Sequence, residues 1–403
     1  MGKIASVRVA IGPHYRYHPC ISEPDDSDFK LTLGCSMGII QRVAIRVDAS
    51  IEMGMGHLAR CMSLANALAS HGVKIVFIMR EHASVFSRIV EACGHTLLLL
   101  RDSELYQDPY DLTAHAHWLP VNPQQDAAQT LEAIGGIGDV DWLIVDHYAL
   151  DANWERQQRK QALRVLVIDD LADRVHDCDI LLDQNLVLNP EARYSSLVPA
   201  ACQQMLGPGY ALLRPEFAEA RKSLTDRSGE VRRILVCYGG SDPSNETAKA
   251  LAAIKHMETT SLAIDVVIGL GNPHADRVSG LCLELRCVEL HRGTDNMAEL
   301  MGRADLAIGA GGIMNWERCC LGLPTIAVDV AANQVRSLAA LASAGALIHL
   351  GSAQSVNATQ IATAIGAMIE DSARIRSMRT SALALVDGEG VGRMCSAMHE
   401  LTP

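Results

Sequence analysis

The sequence predicts an α/β protein of two domains, each a mostly parallel sheet covered by helices, facing one another across a cleft. Three observations carry that expectation. From Val43 onward, short β-rich runs alternate with helix-length segments, the order that sets parallel strands beside crossover helices. The alternation restarts at Ile234, after a stretch from Leu206 to Phe217 rich in glycine and proline, so the architecture repeats across a connection. The length of 403 residues exceeds one ordinary core and suits two.

Taken in order, residues 1–36 read as a loosely ordered N-terminal extension. Pro13, Pro19, Pro24 and the acidic run Glu23 to Asp28 interrupt short apolar fragments there, and no period emerges. Met37 stands just before the first convincing strand and offers a second start. The first domain, 37–217, holds strands at Val43 to Val47, Lys74 to Met79, Thr96 to Leu100, Trp142 to His147, Arg164 to Asp169 and within Asp179 to Asn185. Asp48, Asp146, His147, Tyr148, Asp169 and Asp170 fall at strand carboxyl ends, where ligands of such sheets gather. The second domain, 218–403, repeats the pattern from Ile234, with further strands at Ala263 to Ile268, Leu285 to Leu290, Leu306 to Ile308, Thr325 to Asp329 and Leu347 to Leu350. Two Rossmann-like halves are the economical arrangement.

Composition narrows the function. A net charge of −12 with 20% charged residues argues against a nucleic-acid or anionic-membrane partner. The twelve cysteines form no C-x-x-C and one adjacent pair, Cys319 and Cys320, so neither a zinc frame nor a disulfide scaffold is expected. No apolar run of about 20 residues is present to span a bilayer, and the N-terminus lacks signal-peptide character. A cytoplasmic, monomeric enzyme without metal or cofactor is the expectation.

The turn that follows the first strand draws attention. Gly54, Met55, Gly56 and His57 join that strand to a helix whose apolar positions include Leu58, Cys61, Met62, Leu64, Ala65 and Leu68. Glycines let backbone approach a ligand, and a helix start attracts phosphate. A helix start also disfavours imidazolium, which would leave His57 neutral and able to accept a proton. The plainer alternative is a histidine that only caps the helix. Gly309 to Gly312 and Gly239-Gly240-Ser241 are further candidate phosphate turns.

The stretches RVDASIEMGMGHLARCMSLANAL, IVDHYALDANWE, VIDDLADRVHDCDILLDQN, GPGYALLRPEF, YGGSDPSN and GAGGIMNWERCCLGLPTIAVDVAANQ run from Arg46 to Gln334. Together they resemble a GT-B family, the UDP-sugar hydrolases of pseudaminic-acid biosynthesis. Their C-terminal half is in turn similar to the peptidoglycan N-acetylglucosaminyltransferases. The resemblance implies cleavage of UDP-2,4-diacetamido-2,4,6-trideoxy-β-L-altropyranose by water, with inversion and release of UDP. It implies that Glu317, seven residues before Pro324, holds the nucleotide ribose. Ser241, Gly240, Gly311 and Gly312 would approach the diphosphate, and Asn315, Asn333 and Gln334 would lie near the sugar nucleotide.

Such a reaction needs a base for water, a place for the leaving diphosphate charge, and support for the sugar. His57 is the expected base, with Asp48 and Tyr148 beside it in catalysis. Arg46, Asp146, Gly54 and Gly56 would contact substrate from the same strand ends, and Arg214 would reach phosphate or sugar from the connection. Backbone amides of the glycine turns would take up diphosphate charge without reorganising. Trp154, Trp316 and Met314 are expected to pack rather than bind.

Overall fold

The computed structural model describes residues 9–11, 39–50, 53–81, 84–102, 115–257 and 262–403. Met37, the three N-terminal prolines and the acidic run lie outside them. The strands are β1 (Val9–Ile11), β2 (Arg42–Val47), β3 (Lys74–Arg80), β4 (Thr96–Leu100), β5 (Val140–Asp146), β6 (Ala162–Ile168), β7 (Ile180–Asp183) and β8 (Gln203–Leu206). The second half continues with β9 (Arg233–Cys237), β10 (Ala263–Ile268), β11 (Val288–Arg292), β12 (Leu306–Ala310), β13 (Thr325–Asp329) and β14 (Leu347–Ser352). Every pairing between them is parallel.

The strands form two sheets, in the orders β4-β3-β2-β5-β6-β7-β8 and β1-β11-β10-β9-β12-β13-β14. Central runs such as Val43–Ile45 and Trp142–Val145 are buried throughout, which is why they read as continuous apolar stretches rather than alternating ones. The strand order reverses between β2 and β5 in one sheet and between β9 and β12 in the other. A crevice opens at such a reversal, beyond the carboxyl ends of the strands. His57 follows β2 and Tyr148 follows β5, while Ser241 follows β9 and Gly311 follows β12. Leu186, just beyond β7, packs against the second domain's apolar cluster, which also takes in Ala211, Leu213 and Phe217 of the connection.

Three elements depart from the sequence reading. Val9–Ile11, assigned to the loose extension, pair in parallel with β11 at the edge of the second sheet. Gln203–Leu206, not expected as a strand and overlapping the expected connection only at Leu206, is an edge strand beside β7. The run expected from Leu285 instead starts at Val288, because the helix Ala275–Glu284 reaches that far and Cys287 turns the chain with φ +58°.

The domain boundary also changes. Helix Gly390–Leu401, assigned to the second domain, returns to the first: Met394, Ala397 and Met398 join the core of α1 (Gly56–Ser70) and β2. Trp142 Nε1–H donates to Thr402 Oγ1 at 2.9 Å across that contact. A side chain at Gly390 would sit 2.3 Å from the Ala211 carbonyl oxygen, so only glycine allows this second crossing to lie against the first.

Candidate active site

α1 begins at Gly56, two residues earlier than its apolar spacing suggests, and its N-cap is Met55. Gly54 makes the preceding turn with φ +77° and donates its N–H to the Ser50 carbonyl at 2.8 Å. His57 therefore lies inside the first helical turn, buried, with its ring directed to β5 rather than to the helix amides. Its Nδ1 lies 2.6 Å from Asp146 Oδ1. This removes the capping alternative.

Arg60, one turn further along α1, grips the same carboxylate in two places: Nε donates to Asp146 Oδ2 and Nη2 to Oδ1, both at 2.7 Å. Burial works to raise the Asp146 pKa, but Arg60 and then His57 outweigh it and hold the carboxyl well below its ordinary range. An ionised Asp146 fixes the proton of His57 on Nδ1 and leaves Nε2 as the acceptor. Arg60 Nη1 also donates to Asp170 Oδ2 at 3.1 Å, and the Tyr148 hydroxyl donates to Asp170 Oδ1. Burial, reinforced by Asp170, pushes the Tyr148 hydroxyl pKa well up, so it remains a donor at neutral pH. The Tyr148 ring meets His57 edge-on, 4.7 Å between centroids.

Two expected site residues lie elsewhere. Arg46 and Asp48 are fully buried beneath the strand ends and pair with each other at 2.8 Å. Arg46 also donates to Asp126, which accepts in addition from Arg80 and the Trp154 indole. Asp48 accepts the Arg80 backbone N–H at 2.8 Å and lies 3.5 Å from His147 Nε2. Alternation along β2 explains the correction: residues 46 and 48 point to the same covered face. Burial outweighs the pull of Asp48 and pushes the His147 imidazole down to about 4. The carboxylate that meets His57 is Asp146, one of the strand-end groups expected to orient His57, water or sugar, rather than Asp48. Asp169 and Asp170 diverge because β6 ends at Ile168; Asp169 turns inward to Arg174 and Tyr194.

Asp183, at the end of β7, accepts from the Asn185 amide and Tyr194 hydroxyl. Burial and then the Asp170 charge push its carboxyl up to about 7. With a raised folded pKa, its contribution to stability is complete below the ordinary pKa near 3.8 and is lost as pH rises through 7. Asp183→Asn should therefore gain stability relative to the wild type between pH 4 and pH 8, by about 1–4 kcal/mol. Denaturant melts at the two pH values check it, a constant difference counting against it.

In the second domain Glu317 lies on helix Met314–Cys320, nearly buried. Burial pushes its carboxyl pKa up against the pull of Arg214, whose Nη2 is 3.6 Å away while Nη1 pairs with Glu216 at 2.8 Å. Gly240 and Gly312 are exposed and Ser241 is half-buried. Gly311 abuts Gln334, where a Cβ would come within 2.9 Å of the Gln334 Cβ. Gln334 Oε1 accepts the Val330 amide, Asn315 Oδ1 accepts from Arg318, and Asn333 is exposed at the start of helix Gln334–Ser343. Asn315 is buried, which sets it behind the turn rather than on its surface.

Among the described residues one trio, Asp265, Glu289 and His291, brings possible metal-ligating atoms within 4.8 Å of one another. Asp265 already accepts from Arg233, Arg303 and His291, so its charge is met by guanidinium groups. No helix among the described residues is long and apolar enough to cross a membrane.

No family model matches the chain. Its fold is GT-B: MurG of Acinetobacter baumannii superposes with a TM-score of 0.61 over 90% of this chain and 100% of that one, at 12% identity. An uncharacterized Methanocaldococcus jannaschii protein is 27% identical over 71% of this chain, which spans about half of that protein, 55%. A Campylobacter jejuni UDP-2,4-diacetamido-2,4,6-trideoxy-β-L-altropyranose hydrolase is 25% identical over 68% of this chain and 86% of its own. The Bacillus subtilis spore coat polysaccharide biosynthesis protein SpsG is 30% identical over 363 residues, 89% of this chain and 98% of that protein. With such identity across nearly the whole of both chains, the protein belongs to the SpsG family.

Proposed function

We propose that the protein is a nucleotide-sugar hydrolase that cleaves the anomeric C–O bond of UDP-2,4-diacetamido-2,4,6-trideoxy-β-L-altropyranose with inversion. The observation that carries this reading is the buried His57–Asp146 pair, 2.6 Å apart, at the crevice of the first sheet. His57 Nε2 takes a proton from water as the water oxygen bonds to the anomeric carbon. The glycosidic bond electrons leave with UDP, whose charge is met by the amides after β9 and β12. The Campylobacter relative is named for this reaction.

The chemistry assigned to these groups requires no metal. NMR of purified protein with the UDP-sugar, in EDTA and without acceptor, tests the whole reading. UDP and the inverted free sugar should appear together. Loss of turnover in EDTA, restored by Mg²⁺, would refute the metal-free part. A sugar-transferring reading is favoured by the SpsG name, which concerns polysaccharide biosynthesis; UDP release only when an acceptor is added would establish it.

Uridine recognition falls to Glu317, whose ionised carboxylate can accept both ribose hydroxyls. Arg214 supplies the neighbouring positive charge that favours that ionised form. Glu317→Ala should weaken UDP binding about 10–100-fold in calorimetry, and unchanged affinity would refute the assignment.

A further inference from the structure

Beside His57 stands a wall of rings that the chemistry above does not use. Trp118 ends the short 3-10 helix Ala116–Trp118. Its indole stacks on Tyr148, with centroids 5.3 Å apart and planes 22° from parallel, and meets His57 edge-on at 5.9 Å. His115 fills the angle between them, 4.5 Å from Trp118 and 5.1 Å from Tyr148. Burial, with His117 adding to it, lowers the His115 pKa and so disfavours its imidazolium. Tyr148 and His57 are buried, whereas Trp118 is only half-buried. The other three of the four tryptophans, Trp142, Trp154 and Trp316, are at most 1% exposed.

We propose that Trp118 is the platform on which the sugar ring of the nucleotide sugar packs, and that it selects for sugars carrying apolar substituents. This rests on the nucleotide-sugar reading. A pyranose presents C–H groups of partial positive charge, which pack against the negative face of an aromatic ring. Acetamido and deoxy methyl groups enlarge that apolar surface, and the partly exposed indole of Trp118 receives them at little desolvation cost. Stacking on Tyr148, itself tied to Asp170, keeps the indole rigid, so the anomeric carbon is held in one place relative to His57.

Because three of the tryptophans are buried, acrylamide quenching of fluorescence reports chiefly on Trp118. UDP and UDP-N-acetylglucosamine serve as probes, with binding of each followed by calorimetry. UDP-N-acetylglucosamine should shield the accessible indole from acrylamide, and UDP alone should not. Trp118→Ala should raise KM for the nucleotide sugar about tenfold with UDP affinity unchanged, and Trp118→Phe should restore most of it, both variants melting as the wild type does. Bound UDP with equal quenching in the two complexes, or a Trp118→Ala variant with native KM, would overturn the platform. Failure of UDP itself to bind would instead overturn the nucleotide-sugar reading.

Discussion

Replacing His57 with asparagine should lower kcat about 10²-fold or more while leaving UDP affinity and the melting temperature close to native. The side chain sits in the first turn of α1 and is bonded to Asp146 rather than to the helix amides, so its loss removes no cap. Asparagine cannot take a proton from water near neutral pH. UDP is assigned to the opposite domain, through Glu317, and should not register the change. Single-turnover UDP release, calorimetry with UDP and a thermal melt together decide the matter. Near-native turnover would remove His57 as the base.

Asp146→Asn should be nearly as damaging, with kcat down ~10²–10⁴-fold, for a different reason. The carboxylate accepts from His57 Nδ1 and twice from Arg60. An amide there can donate to Nδ1, which moves the ring proton to Nε2 and abolishes the base. Arg60 keeps Asp170 at 3.1 Å, so the fold should survive at a cost of about 1–3 kcal/mol. If the two residues act as one unit, the double variant His57→Asn, Asp146→Asn loses little more than either single variant. Rates that multiply would separate them.

The parts of this protein legible in its sequence are those whose causes are local. Val43–Val47 reads as a buried parallel strand because both of its faces are covered, and Gly54 marks a turn because only that residue type adopts φ +77° freely. From these the position of His57 at a strand-to-helix crevice follows. The partnerships across the sheet were not legible. Asp48 and Asp146 look alike as strand-end carboxylates, and the 2.6 Å contact that separates them depends on the register of β2 against β5. Arg60 carried a usable signal, since a residue three positions after His57 shares its helical face. Asp126 carried none: it is a polar residue near a helix start whose burial against Arg46, Arg80 and Trp154 is decided by tertiary packing. Gln203–Leu206 escaped notice because half of an edge strand can be polar, and residues 390–401 because amphipathic spacing does not say which core a helix will join.

The return of helix Gly390–Leu401 to the first domain means that the chain passes between the halves twice, near Ala211 and again near Gly390. These passages touch, and Arg393 Nη1 donates to the Gly209 carbonyl at 2.6 Å where they run side by side. A single tether is a ball joint, free to swivel and to twist. Two tethers behave like a door on its pins, with one swing left between the leaves. His57 and Glu317 stand on opposite leaves, so any relative motion of the halves that the tethers permit would carry them along one arc rather than through a search of orientations. On the proposed assignment of water to His57 and of the nucleotide to Glu317, the paired tethers would present the two groups to each other in one alignment.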